Sequence, residues 1–112
     1  MAENSKTEDI FRTLKMTYPD RVAVCLKRVK SSDPEIKRHN FLVPSEITFS
    51  KFICAVRGYY ERIDPSVGMY YFVGEEDRVF PSTYWTMGEL FSKYNVNDKY
   101  MVIRYTMENS FG

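Results

Sequence analysis

At 112 residues the chain has room for one domain, and a soluble chain of this size removes roughly 65% of its unfolded surface from water in a single core. Apolar residues make up 44% and charged residues 28%, which excludes a disordered composition, and a net charge of +1 supplies no field that would recruit nucleic acid. No run approaches the ~20 apolar residues of a membrane span, the first residues are not of signal-peptide type, and two cysteines without a CxxC spacing predict a reducing, intracellular compartment.

Ser5-Lys6-Thr7-Glu8 fits a capping box, and Ile10, Phe11 and Leu14 then share one helical face, so a short helix is predicted over 6–16. Tyr18-Pro19-Asp20 ends it, because the residue before a proline avoids the helical region. Over 21–29 the chain alternates, with Val22, Val24 and Leu26 on one face and Ala23, Cys25 and Lys27 on the other, which predicts a strand with one well-buried side. Residues 30–35 form a turn by composition. Phe41-Leu42-Val43 is a short strand stopped at Pro44 and preceded by Lys37-Arg38-His39-Asn40, a pattern suited to a sheet edge.

The clearest helix follows. Thr48 is its N-cap, and Phe49, Phe52, Ile53, Val56 and Tyr60 form one apolar stripe, with Gly58 as a weak point beyond which the helix frays. Residues 69–73 read as a third strand. Thr86 with Glu89 is a second capping box, opening a short helix that carries Met87, Leu90, Phe91 and Tyr94. Val96-Asn97-Asp98 turns the chain into a last strand beginning at Tyr100, and the residues after it show neither helical nor strand period. The element order predicts an α+β fold. One economical solution is a four-stranded mixed sheet with its first and last strands parallel at the centre, a crossing helix, a short second helix and one N-terminal helix. This is the ubiquitin-like β-grasp, although other four-stranded α+β sheets fit the pattern. The predicted divisions are an N-terminal helical extension over 1–17, a β-grasp domain over 18–106 and a flexible tail over 107–112.

The residues offer no catalytic constellation. Cys25 and Cys54 each lie within an apolar element with no base in their motif and read as buried thiols. His39, the one histidine, reads as a solvated edge residue rather than a ligand, and no metal or cofactor is expected.

Four landmarks point further. Tyr18-Pro19-Asp20-Arg21-Val22, Phe41-Leu42-Val43-Pro44-Ser45-Glu46-Ile47-Thr48, Pro81-Ser82-Thr83 with Thr86-Met87-Gly88, and Glu108-Asn109-Ser110-Phe111-Gly112 follow one another in order. In this order and near-family spacing the chain resembles, as a divergent member, the autophagy ubiquitin-like modifiers. That family includes the GABA-receptor-associated protein and microtubule-associated-protein light chain 3. The resemblance implies that the chain is a substrate and not an enzyme. An activating enzyme and then a conjugating enzyme would carry Gly112, guided by Phe111, to an amide on phosphatidylethanolamine, and a cysteine protease would act in processing or deconjugation. The protein would then be cytoplasmic, and on the autophagosomal membrane when lipidated.

The resemblance also implies docking of aromatic-x-x-aliphatic peptides as an added strand. It assigns Leu14, Ala23, Leu42 and Tyr100 to an aromatic pocket. It assigns Phe41, Val43, Pro44, Ile47 and Phe52 to an aliphatic pocket, and Arg21, Arg38 and Arg57 to basic positions that contact the peptide's acidic flank or fix the peptide. By composition alone the aliphatic set reads as core; the resemblance reverses this for Phe41 and Val43 and only partly for Phe52. This chain departs from the family at Ala23, where a proline is common, and at His39-Asn40, where a lysine run is common. Its N-terminal extension is also shorter, with room for one helix rather than two. Two alternatives stand beside this reading: the sister modifier joined to a lysine of another protein, which typically ends in Trp-Gly, and a β-grasp adaptor that binds peptides without being conjugated.

Overall fold

The structure, a computed structural model, describes residues 19–60, 68–74 and 78–107. Its elements are β1 (Arg21–Arg28), β2 (Asn40–Pro44), α1 (Phe49–Val56), a 3-10 turn (Arg57–Tyr59), β3 (Met69–Phe72), α2 (Met87–Tyr94), β4 (Asn95–Val96) and β5 (Tyr100–Met107). The sheet order is β2-β1-β5-β3, with β4 also pairing β5. β1 and β5 run parallel at the centre, and every other pairing is antiparallel. This is the β-grasp arrangement, one of the α+β sheets that the element order allows and the one that the family resemblance implies. The predicted helix over 6–16 and the tail beyond Met107 lie outside the described residues.

The alternation of β1 decides which face is covered. Val24 stands abreast of Phe41 on β2 and Met101 on β5, and Leu26 abreast of Ile103. All five are buried, as is Tyr105 opposite Tyr71 further along. The helices supply the other half of the core, α1 through Phe49, Phe52 and Val56 and α2 through Met87, Leu90 and Phe91. Phe52 retains 1% of its surface, and burying a side chain of this size contributes about 2–3 kcal/mol.

Both helix starts were legible as caps, and the structure ties the two together. Thr48 Oγ1 accepts from the Lys51 amide at 3.2 Å, and Thr86 and Glu89 form a reciprocal capping box. The capping segments then cross-bond, the Phe49 amide donating to the Trp85 carbonyl and the Met87 amide to the Ile47 carbonyl, each at 2.8 Å. The Gly88 amide donates to the Ser45 carbonyl at 2.9 Å, and a Cβ on Gly88 would stand 3.0 Å from the Ser45 Cβ and 3.1 Å from its carbonyl oxygen. The Ser45 Cβ and backbone, not the far end of a flexible side chain, fill that space. Gly88→Ala is therefore expected to lower stability by about 1–3 kcal/mol despite alanine's better helix propensity, as measured by urea unfolding.

Some details differ from the sequence pattern. α1 stops at Val56, and Gly58 sits in the 3-10 turn, so Tyr60 is no part of a helical stripe. Tyr60 is extended and buried nonetheless, because a bridge to Ile36 and a 2.7 Å contact between its hydroxyl and that of Tyr71 hold it. The sheet gains a fifth, two-residue strand, β4, followed by a tight turn in which Asn97 and Asp98 take φ of 53° and 60°. β5 includes Met107, where the sequence pattern places the start of the tail. The two thiols part company. Cys25, on the outer face of β1, is half-buried and its thiol is pushed up by burial, with Lys27 opposing. Cys54 is exposed, correcting the buried reading: the buried positions of α1 are 49, 52 and 56, and residue 54 falls on the far side of that stripe.

Candidate functional site

β2 closes one end of the sheet. It pairs only with β1 among the described residues, from Arg21↔Pro44 to Cys25↔Asn40, so its outer edge faces no other strand. An edge strand presents a row of backbone donors and acceptors that an extended peptide satisfies by adding a strand. Proline at its end and basic residues before it are consistent with keeping such an edge from pairing with copies of itself.

Two sets of side chains flank this edge, one on each face of the sheet. On the outer face Leu42 pairs with Ala23, and Tyr100 lies one residue before the Val24↔Met101 rung, in line with Ala23. Leu42, Ala23 and Tyr100 thus form a row across β2, β1 and β5. Leu42 and Tyr100 are half-buried, and Ala23 is buried between them. Leu14, the fourth residue assigned to this pocket, lies outside the described residues.

On the helix face lie Phe41 and Val43, Phe41 against α1. The Phe41 ring meets Phe52 edge-on at 5.6 Å and Tyr59 at 5.4 Å. Phe41 and Val43 each keep 8% of their surface, whereas Phe52 keeps 1%. Phe52 therefore backs Phe41 and presents almost nothing of itself. Pro44 is exposed and Ile47 half-buried, completing an apolar rim at the end of β2. Tyr59 belongs to this group as well. The helical period did not find it, because it lies in the 3-10 turn, 36% exposed and against Phe41.

The three arginines do not converge. Arg38 leans over the Phe41 ring at 5.2 Å while its Nε donates to the Asn40 carbonyl at 3.1 Å, which holds a cation beside the open edge. Arg21 stands at the far end of the same pair of strands, opposite Pro44. Arg57 instead lines a groove of about 390 Å³ with Phe49, Ile53, Met69, Tyr70 and Phe80, toward β3. Two basic residues therefore accompany β2, and the third lines that separate groove. Among the described residues no group of His, Cys, Asp and Glu side chains could hold a metal ion.

A mixed sheet of this order, with its parallel central pair crossed by α1, defines a ubiquitin-like protein. The comparisons with known proteins narrow the class. The family model described as autophagy protein Atg8, ubiquitin like, matches residues 5–112, and this chain belongs to that family. Its relatives include the autophagy-related protein 8 of Schizosaccharomyces pombe, 30% identical over 111 residues, which cover 98% of this chain and 87% of that one. The corresponding protein of Dictyostelium discoideum is 28% identical over 108 residues, covering 96% and 86%. Among solved structures the fold matches Trypanosoma brucei ATG8 with a TM-score of 0.78 at 21% identity, covering 93% of this chain and 87% of that one. It also matches Plasmodium falciparum Atg8, solved in complex with a Plasmodium falciparum Atg3 peptide, with a TM-score of 0.76 at 22% identity, covering 91% and 88%.

Proposed function

We propose that this protein is a conjugated modifier of autophagy, joined through Gly112 to phosphatidylethanolamine, and that it recruits partners by docking aromatic-x-x-aliphatic peptides along β2. The observation that carries the docking half is the unpaired outer edge of β2, with a Leu42–Ala23–Tyr100 row on one face, Phe41 and Val43 on the other, and Pro44 and Ile47 following at the end of the strand. Successive residues of an added strand point to opposite faces. Such an edge therefore reads a peptide as two separated anchors, an aromatic and an aliphatic one, with backbone bonds supplying the rest. Arg38, fixed beside the edge, suits acidic residues upstream of the aromatic anchor.

The conjugation half is supported by family membership and by the Phe111-Gly112 pair lying a few residues beyond a strand at the sheet centre. In this role the chain is the group transferred and supplies no catalytic side chain. Its partners are the activating and conjugating enzymes, a deconjugating cysteine protease and motif-bearing peptides, and it meets the membrane through the attached lipid. It works in the cytoplasm and on the autophagosomal surface. A relative solved with a peptide of Atg3 supports a family member meeting another protein through a short segment.

The test is reconstitution with the activating and conjugating enzymes and phosphatidylethanolamine vesicles. Wild type is expected to gain the mass of one lipid on Gly112, and Gly112→Ala to gain none, because an added methyl obstructs a channel shaped for glycine. Lipidation of Gly112→Ala, or a protein attached in place of the lipid, would overturn the assignment.

A further inference from the structure

Asp33 lies in a loop that composition marks only as a polar turn, yet it is 2% exposed. An isolated buried carboxylate is costly to desolvate, so its hydrogen bonds indicate what it holds. One oxygen, Oδ2, accepts from the Lys30 amide at 2.8 Å, the ordinary bond of an aspartate closing its own turn. The other bonds are not local. Oδ1 accepts from the Thr106 hydroxyl at 2.9 Å and from the Met107 amide at 3.0 Å, across 73 and 74 residues of chain. Thr106 is buried too, at 2%.

The same loop grips the strand on either side of that point. The Val29 amide donates to the Tyr105 carbonyl at 3.0 Å, and the Tyr105 hydroxyl donates to the Pro34 carbonyl at 2.8 Å. Arg28 in turn braces the loop, through the Asp33 carbonyl at 3.4 Å and Glu35 at 3.4 Å. Residues 105, 106 and 107 are thus each held from the β1–β2 loop, and Asp33 holds the last two.

We infer that Asp33 is a positioning residue for conjugation, a latch that fixes where the chain leaves the sheet on its way to Gly112. This rests on the conjugation reading above. Gly112 is five residues beyond Met107, so an extended segment places it at most about 17 Å from the Met107 Cα. Releasing Thr106 and Met107 from the ladder would add about 7 Å of loose chain and move the origin of that reach. A reaction that depends on delivering one carboxylate to an enzyme's cleft loses rate when the delivering segment is less ordered, even though its reach is longer. A turn cap would need only the Lys30 bond, whereas the two bonds to the end of β5 serve the exit point.

The experiment compares wild type, Asp33→Ala, Asp33→Asn and Thr106→Val in the same reconstituted conjugation. Initial rates are read against protein concentration, with amide hydrogen exchange and thermal midpoints measured alongside. Asp33→Ala is expected to speed exchange at Met107 by about tenfold or more while Ile103, mid-strand, stays protected, and to lower kcat/KM by about tenfold. Thr106→Val removes one donor with little change of shape and is expected to cost about threefold. Asp33→Asn keeps an acceptor for β5 and should recover part of the loss. Binding of a motif peptide at β2, a separate edge, should be unchanged in all of them.

Wild-type conjugation rates in both Asp33→Ala and Thr106→Val would overturn the positioning role and leave the reading of function intact. The role also falls if rates drop only in step with loss of protection throughout the sheet, since that describes a fold defect. If wild type itself forms no conjugate under conditions that conjugate a known relative, the reading of function falls and the positioning role with it.

Discussion

Leu42→Asp should weaken binding of an aromatic-x-x-aliphatic peptide about a hundredfold, or about 2.7 kcal/mol, with little change in the thermal midpoint. The reasoning begins at the backbone. Leu42 is central in the five residues of β2, its backbone pairs with Ala23 on one side, and its side chain lies on the outer face, half-buried. A carboxylate there does not enter the core, which at this edge is filled by Phe41 and Val43 on the other face. The fold therefore tolerates the change. The proposed pocket does not, because an aromatic anchor would have to bury a charge without a partner, and an acidic peptide flank would approach a like charge. Lys93→Ala, on α2, is the control: Lys93 is exposed, its ammonium lies 5.4 Å from the Trp85 ring, and neither residue belongs to β2 or to the row of Leu42, Ala23 and Tyr100, so affinity should not move. Titration calorimetry reads both. Unchanged affinity in a folded Leu42→Asp protein removes the outer-face row from the docking site.

The parts of this fold that the sequence announced are those governed by short-range periodicity. Thr86 with Glu89 marks a helix start because both bonds of the box lie within three residues. Val22, Val24 and Leu26 mark a half-buried strand because period two sets which face each residue takes. What escaped depends on partners far along the chain. Tyr60 falls on the helical stripe of α1 by spacing, but its burial comes from Ile36 and Tyr71, and it is extended. Asp33 looks like any turn aspartate, because its partners on β5 are unknowable before the sheet is assembled. β4 has only two residues, too few to show a period.

The candidate site divides in the same way. Phe41, Leu42 and Val43 are contiguous, and strand alternation alone sends Leu42 to one face and its neighbours to the other. Tyr100 joins Leu42 and Ala23 only through the parallel register of β1 and β5, which the residue pattern permitted and the family resemblance selected. Arg57 illustrates the reverse. Its place near the end of a helix said nothing about which side it would face, and it opens on the groove toward β3. Tyr59 lay in a segment whose helical period had already broken, so spacing could not bring it to Phe41.

Alkali should unfold this protein from about pH 10 upward, through three tyrosines in its core. The Tyr105 ring meets Tyr60 edge-on at 5.2 Å and lies 6.4 Å from Tyr71, and the three rings keep 0%, 7% and 7% of their surface for Tyr105, Tyr60 and Tyr71. Burial, which penalises phenolate, pushes all three hydroxyls up. Tyr105 reaches about 12, Arg28 opposing the shift and Asp33 adding to it, and Tyr60 goes higher still under the added influence of Tyr71. An unfolded tyrosine releases its proton near pH 10. Below that pH both states hold their protons and stability is at its full value. Above it the unfolded chain loses protons that the folded core retains, so stability falls as pH rises, and for Tyr105 the loss runs to about pH 12. Each such phenol contributes at most about 1.4 kcal/mol per pH unit.

Tyr60 and Tyr71 separate the cost of a missing partner from the cost of ionisation. Their hydroxyls meet at 2.7 Å, so Tyr71→Phe leaves the Tyr60 hydroxyl buried and alone, at about 1–3 kcal/mol even at neutral pH. The double variant Tyr60→Phe/Tyr71→Phe removes both groups. It should recover most of that loss at pH 7 and show a shallower decline above pH 10, with only Tyr105 of the trio still resisting ionisation. Urea midpoints from pH 7 to 12, with phenolate absorbance followed in parallel, measure both effects. If the double variant declines as steeply as wild type, the alkaline transition belongs to groups outside this cluster.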